Sequence, residues 1–206
     1  FTFSAWVKRG ALSANETIFE IWTGISGGTG VNLRLNSSDQ IVVGFDTYSG
    51  GSGFAGTLVS TAVFRDPSAW YHIVFTADFS AGSFTSFPTV YVNNVSQTLS
   101  VSGSTYGSWS SGSISCVTGF LGAFSSTGTP YAGFYLDGYQ AEVNFVDGQA
   151  LTPSYFGQFN ATSGVWEPIA YAGSYGTKGF HLNFSNGTST TKLCYDSSGN
   201  SNNWTC

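Results

Sequence analysis

The amino-acid sequence predicts an all-β fold, an antiparallel sandwich of two sheets. Three observations carry that expectation. Short runs alternate apolar and polar with a two-residue period, they recur roughly every 8–12 residues, and Gly, Ser, Asn and Pro separate them. At 206 residues the chain is long enough for one large β domain with an ample core. Residues 1–206 read as a single domain, with a turn-rich C-terminal extension from about residue 159.

Phe1 to Val7 sets Phe1, Phe3, Ala5 and Val7 on one strand face. Thr17 to Trp22, Val31 to Leu35 and Ile41 to Phe45 follow as short strands. Tyr48 to Gly56, rich in Gly and Ser, reads as a loop. Leu58 to Phe64 resumes a strand that Asp66-Pro67 stops. Trp70 to Asp78 places Tyr71, Ile73, Phe75 and Ala77 on one side. Thr89 to Asn93 and Val95 to Val101 read as a hairpin turning at Asn93-Asn94. Ser102 to Ser113 is a low-complexity loop, and Ile114 to Phe124 is strand-like. The cleanest alternation lies in Tyr131 to Leu151. There Tyr139, Ala141, Val143 and Phe145 share one face, and Gln140, Glu142 and Asn144 the other. Asp137-Gly138 and Asp147-Gly148 bracket that strand as turns. Thr152-Pro153 predicts one helical turn with Thr152 as N-cap. Trp166 to Pro168 and Phe180 to Phe184 are the last strand-like pieces.

Charged residues make up only 8% of the chain, so hydroxyls and amides must keep its surface wet, as in many extracellular β-proteins. A net charge of −5 with six scattered Lys and Arg cannot build a phosphate-tracking stripe, which excludes a nucleic-acid partner. No apolar run approaches the roughly 18 residues of a helical membrane span, so membrane insertion is not expected. The chain has no Met and Phe1 opens inside a strand pattern, so it reads as a piece of something longer. Three cysteines allow one intrachain disulfide. Cys194 and Cys206 enclose a turn-rich segment that a disulfide can close, whereas Cys116 sits in an apolar run as a small buried hydrophobe. A 194–206 bridge implies an oxidising compartment.

Candidate chemistry is sparse. His72 and His181 each lie in a strand pattern beside an aromatic, with no second His or Cys at metal-ligand spacing, and no Gly-x-Ser-x-Gly elbow occurs. Tyr48, Tyr106 and Trp109 stand in Ser/Gly loops where strand burial does not demand an aromatic. They are candidate stacking platforms for a sugar ring, or side chains folded back over the sandwich. Seven of the 12 Asn head an Asn-x-Ser/Thr sequon: Asn15, Asn36, Asn94, Asn160, Asn183, Asn186 and Asn203. With Ser and Thr at 53 of 206 positions, chance predicts about three. Either the chain carries glycans on these residues, or its Ser/Thr richness produces the excess.

FTFSAWVKRG, VFRDPSAWYHIVFTAD, VYVNN and AEVNFVDGQALTPSYFG together resemble the laminin G-like, concanavalin A-like jelly-roll domains. The long signature is similar to a subgroup common in tail-fibre and other virion proteins of marine phages and in environmental sequences. In that subgroup the domain continues to DSSGNSNNWT, so the resemblance covers nearly the whole chain. It implies a jelly roll, and a function among lectins, hydrolases and scaffolds. Retaining glucanases of this fold need two carboxylates about 5–5.5 Å apart. Glu16, Glu20, Glu142 and Glu167 have no Asp within four residues, and Glu142 reads as a solvent-facing strand residue, so no catalytic residue is expected. Some members hold calcium at one rim, which makes Asp78 the candidate ligand against the reading of a plain turn Asp. His72 matches a position the family fills with a structural His. Members carry a further strand ahead of FTFSAWVKRG, whose absence leaves an open edge for a donated strand or a neighbouring copy. The expectation is a non-enzymatic extracellular or virion-surface domain that attaches to cell-surface or other glycans. The alternative is a structural subunit of a fibre or shell, assembled by edge strands.

Overall fold

The computed structural model describes residues 1–22, 29–47, 55–78, 88–102, 118–125 and 130–205. Tyr48, Tyr106, Trp109, Cys116 and Cys206 lie outside them. Within the described residues, strands form two six-stranded sheets and one short hairpin, every pair antiparallel. The first sheet runs β14 (Phe180–Leu182), β11 (Gly138–Val146), β1 (Thr2–Arg9), β6 (Tyr71–Ala77), β7 (Pro88–Val92), β8 (Val95–Ser96). The second runs β10 (Thr118–Leu121), β2 (Glu16–Trp22), β3 (Thr29–Leu35), β4 (Ile41–Thr47), β5 (Ala55–Ser60), β9 (Leu99–Ser102). The hairpin pairs β12 (Gly157–Phe159) with β13 (Trp166–Pro168). This is the two-sheet sandwich that the alternation predicts.

Phe1, Phe3, Ala5 and Val7 do share the inner face, where they meet Phe19, Phe45, Phe75 and Phe145. Phe3 stacks on Phe19 across the two sheets at 4.2 Å between ring centroids. Each such side chain contributes roughly 2–3 kcal/mol by leaving water, so these residues hold the sheets together. Asn93 and Asn94 turn the β7–β8 hairpin with φ of 48° and 68°, the paired positive values that a two-residue type I′ turn requires and Asn tolerates.

Three expectations shift. The Leu58–Phe64 strand ends at Ser60, because Ser60 Oγ donates to Ala62 O (2.8 Å) and turns the chain. Val95 to Val101 splits at Gln97-Thr98 into β8 and β9, which belong to different sheets. The third lies in β11. Ala5 alone stands opposite both Glu142 and Val143, since Ser4 pairs with Asn144 and Trp6 with Ala141. Glu142 has φ +49°; this is a β-bulge, and it reverses the phase of the strand. Val143 and Phe145 point into the core as expected, but Tyr139 is 66% exposed and Gln140 reaches inward to Ile18 O at 2.8 Å.

The outer face of the first sheet is covered by the chain's own C-terminal part. Val74, Val146 and Phe156 form a second core there with Leu151, Tyr171 and Tyr175. A 3-10 turn at Pro153–Tyr155 stands where one helical turn is expected, although Thr152 caps it without a side-chain hydrogen bond. A second short helix, α1 (Thr190–Leu193), is unanticipated; Ser189 Oγ caps it at Lys192 N, 3.2 Å. The edge beyond β11 is capped over Val143–Phe145 by β14.

Loops at one end are pinned by a buried ion network. Arg9 donates to Glu16 Oε2 through Nε and Nη2 (3.1 Å each), and through Nη1 to Asp39 Oδ1 (3.0 Å) and Phe64 O (2.7 Å). Arg65, exposed, adds a 2.9 Å bond to Asp39 Oδ2. Burial pushes the Glu16 carboxyl upward against the pull of Arg9. At Asp39 burial works in the same sense, but the Ser13 N–H and both guanidinium groups outweigh it and hold the carboxyl below its usual value.

Candidate functional site

Where β10 of the second sheet faces β11 and β14 of the first, a cleft of about 950 Å3 opens. Gly119, Phe120 and Leu121 of β10 and Ile21 of β2 form one wall. Gly138, Gln140 and Phe145 of β11 and Phe180 of β14 form the other, flanked by Lys178 and Phe184. The tail residues Asn202, Asn203, Trp204 and Thr205 complete it. The β11 bulge builds this site, because the reversed phase is what turns Gln140 into the seam. The Gln140 Nε2 donates to Ile18 O, while its buried Oε1 has no partner among the described residues.

Trp204 is seated by three features. Its backbone N–H donates to Cys194 O at 3.0 Å. Its ring meets Phe180 edge-on at 4.9 Å. Gly119 makes the room, since a Cβ there would stand 2.9 Å from Trp204 Cη2. Phe184 has φ +52°, an unfavourable backbone for a bulky residue, of the kind that collects at binding sites. The lining thus combines partly exposed rings with amides, one hydroxyl and one ammonium. Rings pack against the C–H faces of a pyranose while amides and hydroxyls exchange hydrogen bonds with its OH groups, so the chemistry suits a saccharide.

A second cluster sits on the outer face of the same sheet edge. His181 Nε2 lies 2.9 Å from Glu142 Oε2, and His181 Nδ1 lies 3.0 Å from Ser197 Oγ. Glu142 is therefore half-buried and paired, not simply facing solvent. The order Ser–His–Glu invites comparison with a hydrolase triad, but the parts do not work as one. Ser197 Oγ also lies 3.0 Å from His181 O, and the backbone N–H groups of Ser197 and Ser198 already donate to His181 O and Asp196 Oδ1 (2.8 Å each). Those two N–H groups are spent and supply no oxyanion site. The cluster stitches the tail to β14. Asp196 anchors it by accepting four hydrogen bonds, from His181 N, Ser198 N, Ser198 Oγ and Asn202 N. Burial raises the Asp196 carboxyl, but these bonds outweigh it and leave it below its ordinary value.

His72 is structural, as its strand position suggests. It is fully buried between the rings of Trp6 (4.9 Å) and Trp166 (5.9 Å). Trp166 Nε1–H donates to His72 Nδ1 at 2.9 Å, so Nε2 carries the proton and faces Ser4 Oγ at 2.9 Å. Burial lowers its pKa to about 4.

The remaining sequence candidates scatter. Asp78 is exposed just after β6, and among the described residues no group of three or more His, Cys, Asp or Glu is arranged to hold a metal. Tyr48, Tyr106 and Trp109 fall outside the described residues. Cys194 is disulfide-bonded and lines the cleft, while Cys116 and Cys206 lie outside them. Four sequons are Asx turns. The Oδ1 atoms of Asn36, Asn160, Asn183 and Asn186 accept the N–H two residues on, from Ser38 (2.9 Å), Thr162 (3.0 Å), Ser185 (3.1 Å) and Thr188 (3.3 Å). Asp66 and Asp196 do the same with Ser68 and Ser198 where no sequon exists, so turn-making accounts for much of the excess. Asn203 Oδ1 accepts the Asp196 N–H (2.9 Å), and Asn15 and Asn94 are exposed.

A laminin G family model, described as the concanavalin A-like lectin/glucanases superfamily, matches residues 1–153. The chain belongs to that superfamily. No curated protein and no solved structure matches it. The matched residues include most of the sandwich and the parts of the cleft built from β2, β10 and β11. Lys178, Phe180, Phe184 and Asn202 to Thr205 lie beyond the matched residues. Reading the sequence alone missed them, because Trp204 and its amides look like an ordinary polar tail. The available signal was one Trp inside a turn-rich segment next to a cysteine.

Proposed function

We propose that this chain is a non-catalytic carbohydrate-binding domain that takes a glycan in the cleft between β10 and β14. The observation that carries this reading is the lining itself: aromatic rings, side-chain amides and a hydroxyl in a member of a lectin-containing superfamily. A non-catalytic role is supported by the lack of any carboxylate side chain among the described lining residues, where a glycosidase needs two. The disulfide at Cys194 supports an oxidising, extracellular or virion-surface location, and there the domain would act as a phage tail-fibre-like adhesin for surface glycans. A glycan array with the purified chain tests this: binding that Phe120→Ala or Asn203→Ala removes is the expected outcome. No binding to any saccharide overturns it.

One observation favours the structural alternative. Val95 and Val101, on the edge strands β8 and β9, are 63% and 45% exposed, as they would be if a neighbouring copy or a donated strand covered them. In that reading glycans at Asn15 and Asn94 would coat the outside of a fibre or shell. Light scattering decides: a monomer across the micromolar range removes it.

A further inference from the structure

We infer that the cleft takes an acidic saccharide, one bearing a carboxylate or a sulfate, and that Lys178 selects it; this rests on the glycan-binding reading above. The chain has 11 acidic and six basic residues, yet among the described residues the cleft lining contains one Lys and no Asp or Glu. Against the overall balance of the chain, the cleft therefore meets an anion with a cation. The net charge of −5 does not reach in from afar, because charges more than about 8 Å away are screened at physiological salt.

Lys178 is placed by its backbone. Asp147 Oδ2 accepts its N–H at 3.2 Å, so that carboxylate is engaged with the main chain. The ammonium makes no ion pair among the described residues. The next residue, Gly179, is clamped: Asn200 Nδ2 and Asn202 Nδ2 both donate to its carbonyl at 2.9 Å. A Cβ on Gly179 would overlap Tyr175 O, which leaves only glycine there. The Lys178 backbone is therefore fixed at the cleft while its four-carbon stem stays free to reach an anion. Phe180 and Phe184 lie beside it, and low-dielectric walls of this kind strengthen a charge-assisted hydrogen bond. Because Lys178, Asn202 and Asn203 all follow residue 153, the selectivity belongs to this chain's C-terminal part and not to the matched superfamily region.

The test is calorimetric titration of the whole chain with galacturonate trisaccharide, its methyl ester, and a sulfated and an unsulfated galactan trisaccharide. The expected result is an anion preference of about tenfold or more, the weight of one charge-assisted hydrogen bond. It should weaken with salt, vanish in Lys178→Met and survive in Lys178→Arg. Lys178 is exposed, and unchanged thermal unfolding of both variants verifies that they fold. Preference for the uronate alone or the sulfate alone identifies which anion is read. Equal binding of acid and ester and of both galactans, or a Lys178→Met variant that keeps the preference, overturns the inference and leaves glycan binding standing. No binding of any of the four also overturns the inference, and the glycan array decides the glycan-binding reading separately.

Discussion

His72 makes the stability of this domain fall with acid from about pH 6.5 downward. The ring is wedged between Trp6 and Trp166, and Trp166 aims its only N–H at Nδ1. A second proton would have to go on that nitrogen and face a donor with no lone pair to offer. Burial disfavours the charged ring as well and lowers the pKa from 6.5 to about 4. With the folded value below the unfolded one, both states are neutral above pH 6.5 and His72 then costs nothing. As pH falls, the unfolded chain binds the proton first, and stability drops by about 1.4 kcal/mol per pH unit. The 2.5-unit gap gives a total loss of about 3 kcal/mol by pH 4. Asp39 and Asp196, both lowered from 3.8, contribute stability that is lost only below that value. Glu16, raised from 4.5, works in the opposite direction by favouring the folded state as it protonates. Urea unfolding of the parent and of His72→Gln, measured from pH 7.5 to 4, separates these effects. Gln can accept from Trp166 and donate to Ser4 but does not titrate, so the difference between the two curves should close by about 3 kcal/mol. Parallel curves would refute the reasoning.

Other perturbations give equally definite outcomes. Arg9→Ala leaves Glu16 and part of Asp39 buried without their cation and should cost about 3–5 kcal/mol in urea unfolding. Arg65→Ala, which removes an exposed partner of the same Asp39, should cost under about 1 kcal/mol. Gly119→Ala drives a methyl to 2.9 Å from Trp204 and 3.1 Å from Glu20 O, so tryptophan emission should shift to the red with a loss of about 1–3 kcal/mol. Reducing the Cys194 disulfide should lower stability by about 2–4 kcal/mol, and peptide mapping without reductant should find Cys206 as the partner. After secretion from a glycosylating host, the mass lost on glycan removal should map to Asn15 and Asn94. It should not map to Asn36 or Asn160, whose Nδ2 groups are bonded to Gln40 and Glu167.

The fold was legible where a strand is long enough to show its period. β1 has eight residues, and its alternation placed Phe3, Ala5 and Val7 on the core side, although Thr2 and Ser4 on the other face are buried too. β12, β13 and β14 have three residues each, too few for a period to declare itself, and β12 was not foreseen. The bulge in β11 was hidden for a different reason. Glu has no special liking for positive φ, so nothing at position 142 announces that the strand changes phase there, and Gln140 reads as an outward polar residue until pairing with β1 is known. The Asx turns show the converse. Their sequence pattern was visible, but it overlaps the sequon, and only the hydrogen bonds to the residue two positions on distinguish the two. Trp204 could not be placed from sequence, because its seat is made by Gly119 and Phe180 from opposite sheets.

Edge strands leave a sandwich with a seam that must be covered or used. In this chain the C-terminal part does both: β14 pairs with β11 over Val143–Phe145, and with Trp204 it lines the cleft that remains toward β10. Covering the outer face with Phe156, Trp166 and Tyr171 closes that face to a ligand, and strand pairing occupies both sides of the central strands. Loop rims aside, the seam is where a soluble partner can reach the interior chemistry of this fold. Phe180 belongs to the core, and Phe184 and Trp204 pack against it, so the C-terminal part that shapes the cleft also helps to hold the sandwich closed.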